Sequence, residues 1–171
     1  MTDEAAAAPR SRTFTWQDPA QTARYAGRIS GMEMFAKLKA GELPPPPVLE
    51  LLGMQLESFE HGKVVFSMEP AEYHYNPIGS VHGGIIATML DSAVGCAIHT
   101  TLPAGVAYTT LEIKVNYVRA TTIATGRIRA EGTAIHVGRQ SAVAEGRVFD
   151  PAGKLIATCS TTCLVFPVKP A

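Results

Sequence analysis

The run spanning residues 85–98 constrains this chain more than any other stretch. It is mostly apolar and carries one charged residue, Asp91. It falls short of the roughly 20 residues a membrane span needs, so it reads as a helix buried inside a domain. Much of it is small: Gly84, Ala87, Ser92, Ala93, Gly95, Cys96 and Ala97 allow another surface to approach closely, because the distance between packed elements depends on side-chain size. The rest of the chain has to supply that surface.

Strand patterns on either side of the run supply it. Residues 54–59 and 63–69 read as two strands joined at His61-Gly62, and residues 123–137, 140–149 and 155–166 as three more, with a turn at Asp150-Pro151-Ala152-Gly153. In the stretch 108–117, Leu111, Ile113, Val115 and Tyr117 alternate with Thr110, Glu112, Lys114 and Asn116, which predicts a half-buried strand. Ala124, Gly126, Ala130, Gly132, Ala142, Ala144 and Gly146 predict one face smooth enough to curl around the helix. Two strands, one helix and four strands make an α+β domain with a largely antiparallel sheet.

Ahead of it, Asp18-Pro19 opens a helical spacing of Tyr25, Ile29, Met32, Phe35 and Leu38 up to Gly41, and four prolines from Pro44 to Pro47 form a stiff spacer. The chain therefore divides into an extension, 1–47, and a main domain, 48–171. Its 15 Lys+Arg balance 15 Asp+Glu, and charged residues make up only 18% of 171, against about 25% in a typical soluble domain. Part of the apolar surface is thus expected to face another chain. A zero net charge argues against a nucleic-acid or membrane-surface partner. The N-terminus has neither a basic patch nor an apolar segment, and three cysteines without Cys-x-x-Cys spacing give no disulfide framework or metal site; a cytoplasmic protein is expected.

Chemistry converges on the helix. His82-Gly83-Gly84 stands at its start, where unpaired N-H groups can polarise a carbonyl and the glycines Gly83 and Gly84 let a ligand oxygen approach; the same glycines also serve simple packing. Asp91 has no Lys or Arg at helical spacing, so either a distant group satisfies it or its proton affinity is used. Nine residues separate His82 from Asp91, about 13 Å of rise on opposite helix faces. One copy cannot bring both to one atom, whereas a two-fold pair can. Arg119 and the segment His136-Val137-Gly138-Arg139 are either solvated charges or phosphate contacts.

Asn76-Pro77-x-Gly79-x-x-His82-Gly83-Gly84, then Asp91, then Thr109-Thr110 opening a strand to Tyr117, resembles the phenylacetyl-CoA thioesterase (PaaI-like) group of hotdog-fold acyl-CoA thioesterases. The resemblance runs from about residue 49 to 165. It implies a hotdog fold of five to six antiparallel strands around one central helix, a homodimer or homotetramer with the site at the subunit interface, and hydrolysis of an acyl-CoA without metal or cofactor. Carried over, Asp91 is general base or nucleophile and the Gly83 N-H polarises the thioester carbonyl. His82 and Asn76 organise the loop and contact the thioester region. Thr110 positions water, with Thr109 as the neighbouring alternative. Arg119, His136, Gly138 and Arg139 are the candidates for CoA contacts. A non-catalytic acyl-CoA or fatty-acid binding module is the other reading.

Overall fold

The computed structural model describes residues 8–168. The first seven residues, on which the targeting expectation rests in part, lie outside the described residues, as do the last three. In the extension, α1 (Ala20–Ala23) starts where Asp18 accepts the Ala20 N-H at 2.9 Å. A second helix, α2 (Gly31–Lys39), starts afresh from Ser30, whose hydroxyl accepts the Glu33 N-H at 3.3 Å. The sequence predicts one helix here, and the structure breaks it in two. Gly27 adopts φ +69°, which turns the chain. Gly31 then approaches a later helix so closely that a Cβ would lie 1.7 Å from the His99 carbonyl oxygen. Pro47 begins α3 (Pro47–Leu52), a position where a missing N-H costs nothing, so the extended spacer stops at Pro46.

The main body continues with β1 (Met54–Glu60), β2 (Lys63–Met68), α4 (Gly83–His99), β3 (Val106–Tyr117), β4 (Ile128–Val137), β5 (Ser141–Phe149) and β6 (Leu155–Pro167). All six strands form one sheet in the order β1-β2-β4-β5-β6-β3, every neighbouring pair antiparallel. This is the expected α+β hotdog arrangement, with α4 lying against the sheet. Met89, Leu90, Ala93, Val94, Ala97 and Ile98 of α4 are fully buried, together with Val64, Ile128, Ala130, Ala142, Ala144 and Val148 of the strands. The small residues set the fit: a Cβ on Gly132 would sit 2.2 Å from the Ala93 carbonyl oxygen, and one on Gly146 2.8 Å from Val94.

Two expectations about the strands fail for local reasons. Ala124 and Gly126 do not join the smooth face, because residues Ile123–Thr125 form a short 3-10 turn and Gly126 exits it at φ +75°; β4 starts only at Ile128. In β3 the predicted alternation is interrupted. Its register against β6 slips by one residue between Thr110 and Glu112. The inserted residue, Leu111, is 62% exposed, whereas Ile113 and Val115 are partly buried against the core. A one-residue bulge exchanges the two faces of a strand, so Thr110 turns toward α4.

Candidate active site

The start of α4 is built from a tight loop. Asn76 accepts the N-H groups of Ile78 (3.0 Å) and Ser80 (3.2 Å) on Oδ1 and donates from Nδ2 to the Ser80 hydroxyl (3.0 Å). The His82 N-H donates to the His74 carbonyl at 2.8 Å, which ties the loop to the turn before it. His82 is itself the N-cap of α4: its Nδ1 accepts the Gly84 N-H at 2.9 Å. The Gly84 N-H predicted for a ligand is therefore already engaged. The Gly83 N-H has no hydrogen-bond partner among the described residues, and it points outward with the positive end of the helix dipole.

Tyr117, which sequence reading treats only as the end of a strand, completes this corner. Its hydroxyl donates to the Gly83 carbonyl at 2.8 Å, and a Cβ on Gly83 would lie 3.1 Å from its ring. The signal available in sequence is the pairing of a glycine at a helix start with an aromatic residue at a strand end, but only the folded sheet brings the two together. Asn76, Gly83, Tyr117 and Arg119 share one hollow of about 400 Å³. Arg119 is held there by Asp150 at 3.3 Å.

Asp91 lies on the next turns of the helix, half-buried. Its Oδ1 accepts the Thr110 hydroxyl at 3.0 Å, and Thr110 in turn lies 3.9 Å from the Cys163 thiol, which donates to it. Among the described residues no Lys, Arg or His forms an ion pair with Asp91. A hydroxyl is thus its partner, rather than the distant cation that would have made it purely structural. Burial, followed by the nearby Asp91 charge, pushes the Cys96 thiol up to about 12. Burial together with the neighbouring Cys96, Cys163 and Asp91 holds the Tyr108 phenol well above its ordinary value. Both stay protonated at neutral pH and do not compete as bases.

The remaining predicted residues are dispersed. Thr109 pairs with Leu164 and exposes its side chain on the face away from Asp91. His136, Gly138 and Arg139 occupy the β4–β5 hairpin. There the Gly138 N-H donates to the Ser141 carbonyl at 2.8 Å, and His136 lies in a hollow with His61, Lys63 and Thr101. Thr101 follows the C-terminal end of α4, so this hairpin lies at the opposite end of the helix from His82. The helix runs unbroken from Gly83 to His99, and the rise of about 13 Å between His82 and Asp91 therefore holds. Two half-sites stand on one helix: an anion-stabilising start and a carboxylate with a hydroxyl partner. Among the described residues no cluster of three His, Cys, Asp or Glu is placed to hold a metal, and no helix is long and apolar enough to cross a membrane.

The sequence profile of the thioesterase superfamily matches residues 78–157, which include the helix and both half-sites apart from Asn76. A 1,4-dihydroxy-2-naphthoyl-CoA hydrolase of Listeria monocytogenes is 28% identical over 116 residues, 68% of this chain and 91% of that protein. A protein of Halobacterium salinarum named as an esterase is 34% identical over 110 residues, covering 61% of this chain and 71% of its own length. Among solved structures, a phenylacetic acid degradation-related protein of Ralstonia eutropha superposes with a TM-score of 0.69 at 27% identity, over 76% of this chain and 98% of that one. With the strand order and the two half-sites already in place, these similarities establish that the chain belongs to the thioesterase superfamily, as a thioester hydrolase with the hotdog fold.

Proposed function

We propose that the chain hydrolyses acyl-CoA thioesters at sites shared between two copies, in the manner of the PaaI-like group, with Asp91 and Thr110 of one copy facing the Asn76 to Gly84 loop of the other. The observation that carries this reading is Asp91 itself: a half-buried carboxylate with a hydroxyl partner and no cation, on the same helix as a free Gly83 N-H that it cannot reach. The similarity to a naphthoyl-CoA hydrolase supports an acyl-CoA as substrate.

In this reading the Gly83 N-H donates to the thioester oxygen and stabilises the charge that develops there as the carbonyl carbon is attacked. The Thr110 hydroxyl occupies one carboxylate oxygen of Asp91. The other accepts a proton from water, which adds to the carbonyl carbon; the C-S bond then breaks and the proton passes to the departing thiolate. His82 and Asn76 hold the loop that aims the N-H. Arg119 and Arg139 are the candidates for CoA phosphate contacts, each otherwise a solvated charge.

Thiol release from a panel of aryl and aliphatic acyl-CoAs tests the proposal. Asp91→Asn is expected to lower kcat by about 10²- to 10⁴-fold, the range for loss of a general base, with folding unchanged by circular dichroism. A folded Asp91→Asn protein with full activity overturns the assignment. Binding of acyl-CoA without thiol release favours the non-catalytic module instead. A single turnover in heavy-oxygen water should label the released acid and not Asp91; label in Asp91 would make it the nucleophile.

A further inference from the structure

A cavity of about 680 Å³ lies apart from the loop at the helix start. Its volume falls within the range of about 300 to 1,000 Å³ usual for ligand pockets. One wall is α4, at Ser92, Cys96 and His99, and another is β1, at Met54 and Leu56. The roof is the N-terminal extension, with Phe35 and Leu38 of α2 followed by the proline segment. None of this roof belongs to the matched superfamily region, which begins at residue 78.

The roof is fixed in place. The Gly31 N-H donates to the Leu102 carbonyl at 3.0 Å, and the Phe35 ring meets His99 edge-on at 5.7 Å. Lys39 Nζ donates to the carbonyls of Leu56 (3.1 Å) and Glu57 (2.9 Å). These ties fasten the extension to the C-terminal end of α4 and to β1, and the cavity lies between them. Its α4 wall carries no charge at neutral pH, since burial keeps the Cys96 thiol protonated and lowers the His99 imidazole, and the charged lining residues Lys39, Glu42 and Glu50 belong to the extension and α3. That wall begins at Ser92, the residue after Asp91. Tyr108, which lies two residues before Thr110 in β3, covers Gly95 and meets the His99 ring at a 45° tilt, 5.5 Å between centroids. Cys96, which lines the cavity, feels the Asp91 charge, so the cavity comes within electrostatic reach of the carboxylate along the helix.

We infer that this cavity receives the hydrocarbon chain of the acyl group, and that the N-terminal extension sets which chain lengths are hydrolysed. The inference rests on the thioesterase reading above. An uncharged chain suits the neutral α4 wall, whereas the polar CoA portion stays outside the cavity. The extension then acts as a gauge of chain length, and side chains that fill the hollow shorten the gauge.

The test compares kcat/KM for acetyl-, hexanoyl-, decanoyl- and palmitoyl-CoA in the wild type, Leu56→Trp and Leu38→Trp, the last changing only the extension. Binding of cis-parinaric acid, a fluorescent fatty acid, is measured on the same proteins and needs no hydrolysis. Each tryptophan is expected to lower kcat/KM for palmitoyl-CoA at least about tenfold more than for acetyl-CoA, and to weaken parinarate binding in parallel. An unchanged chain-length profile in both variants, or parinarate binding that neither variant weakens, overturns the cavity assignment and leaves the thioesterase reading standing. Absence of thiol release from every acyl-CoA overturns the thioesterase reading, and parinarate binding then judges the cavity by itself.

Discussion

At the scale of single residues, Thr110 is the side chain whose role turns on the least structure: one inserted residue in β3. Without the bulge at Leu111 its hydroxyl would fall on the far face. With it, Thr110 donates to Asp91 at 3.0 Å. A hydrogen bond to a charged group is worth about 1.5 to 3 kcal/mol. Thr110→Val should therefore reduce kcat about 10- to 100-fold in a thiol-release assay while Thr110→Ser stays near wild type, and equal losses in both would assign Thr110 a packing role. Two histidines carry a separate prediction. Burial lowers the pKa of His74, with nearby Arg12 adding to the effect, and burial lowers that of His99. The unfolded chain then binds more protons than the folded one, so stability declines as pH falls through the ordinary histidine value of about 6.5. Urea midpoints measured from about pH 7.5 down to 5 should show that decline. His99→Asn should flatten it, and an unchanged slope in both His99→Asn and His74→Asn would remove the histidines as its cause.

Among the elements, the contact between α4 and the sheet depends on glycine more than on large side chains. Gly132 faces backbone: a Cβ there would meet the Ala93 carbonyl oxygen at 2.2 Å, and backbone cannot rotate away as a side chain can. Gly132→Ala is expected to cost about 3 kcal/mol, at the upper end for overpacked cores, read as a lowered urea midpoint. An unshifted midpoint would mean that the helix lifts freely from the sheet. Gly83 is a milder case, since its neighbour is the Tyr117 ring, but there the consequence is functional because the ring tethers the helix start. The split of the predicted N-terminal helix belongs to this scale too. The periodicity of Tyr25, Ile29, Met32, Phe35 and Leu38 is present in the sequence, but Gly27 and the close approach of Gly31 to His99 override it.

For the whole molecule, β3 is the last strand of the sheet and leaves one of its edges unpaired among the described residues. Twelve residues long, it carries the exposed apolar side chains of Leu111 and Tyr117, with Val118 just beyond. A long apolar edge is an invitation to pair with another strand, and it lies beside both half-sites. If each site takes Asp91 from one copy and His82 from the other, a mixture of inactive Asp91→Asn and inactive His82→Ala chains, unfolded and refolded together, recovers about a quarter of wild-type activity, because half the pairs are mixed and each mixed pair has one intact site. No recovery, or sedimentation of the active wild type as a monomer, would confine the site to one copy.

The sequence by itself determined the order of strands and helix in the main domain and the buried helix around which they close, and it singled out Asp91 as a candidate, because these follow from hydrophobic period, small-residue content and the isolation of one charge in an otherwise uncharged run. It also located the helix start, where the Gly83 N-H is left free by the nature of an α-helix while His82 takes that of Gly84. Tertiary structure decided which side chains meet. The bulge at Leu111 chose Thr110 over Thr109, the sheet delivered Tyr117 to Gly83, and the fold of the extension over α4 created a cavity that no periodicity announces. Those outcomes depend on register and on contacts between segments far apart in the chain, and a register shift of one residue changes them without altering the pattern from which strands and helices are read.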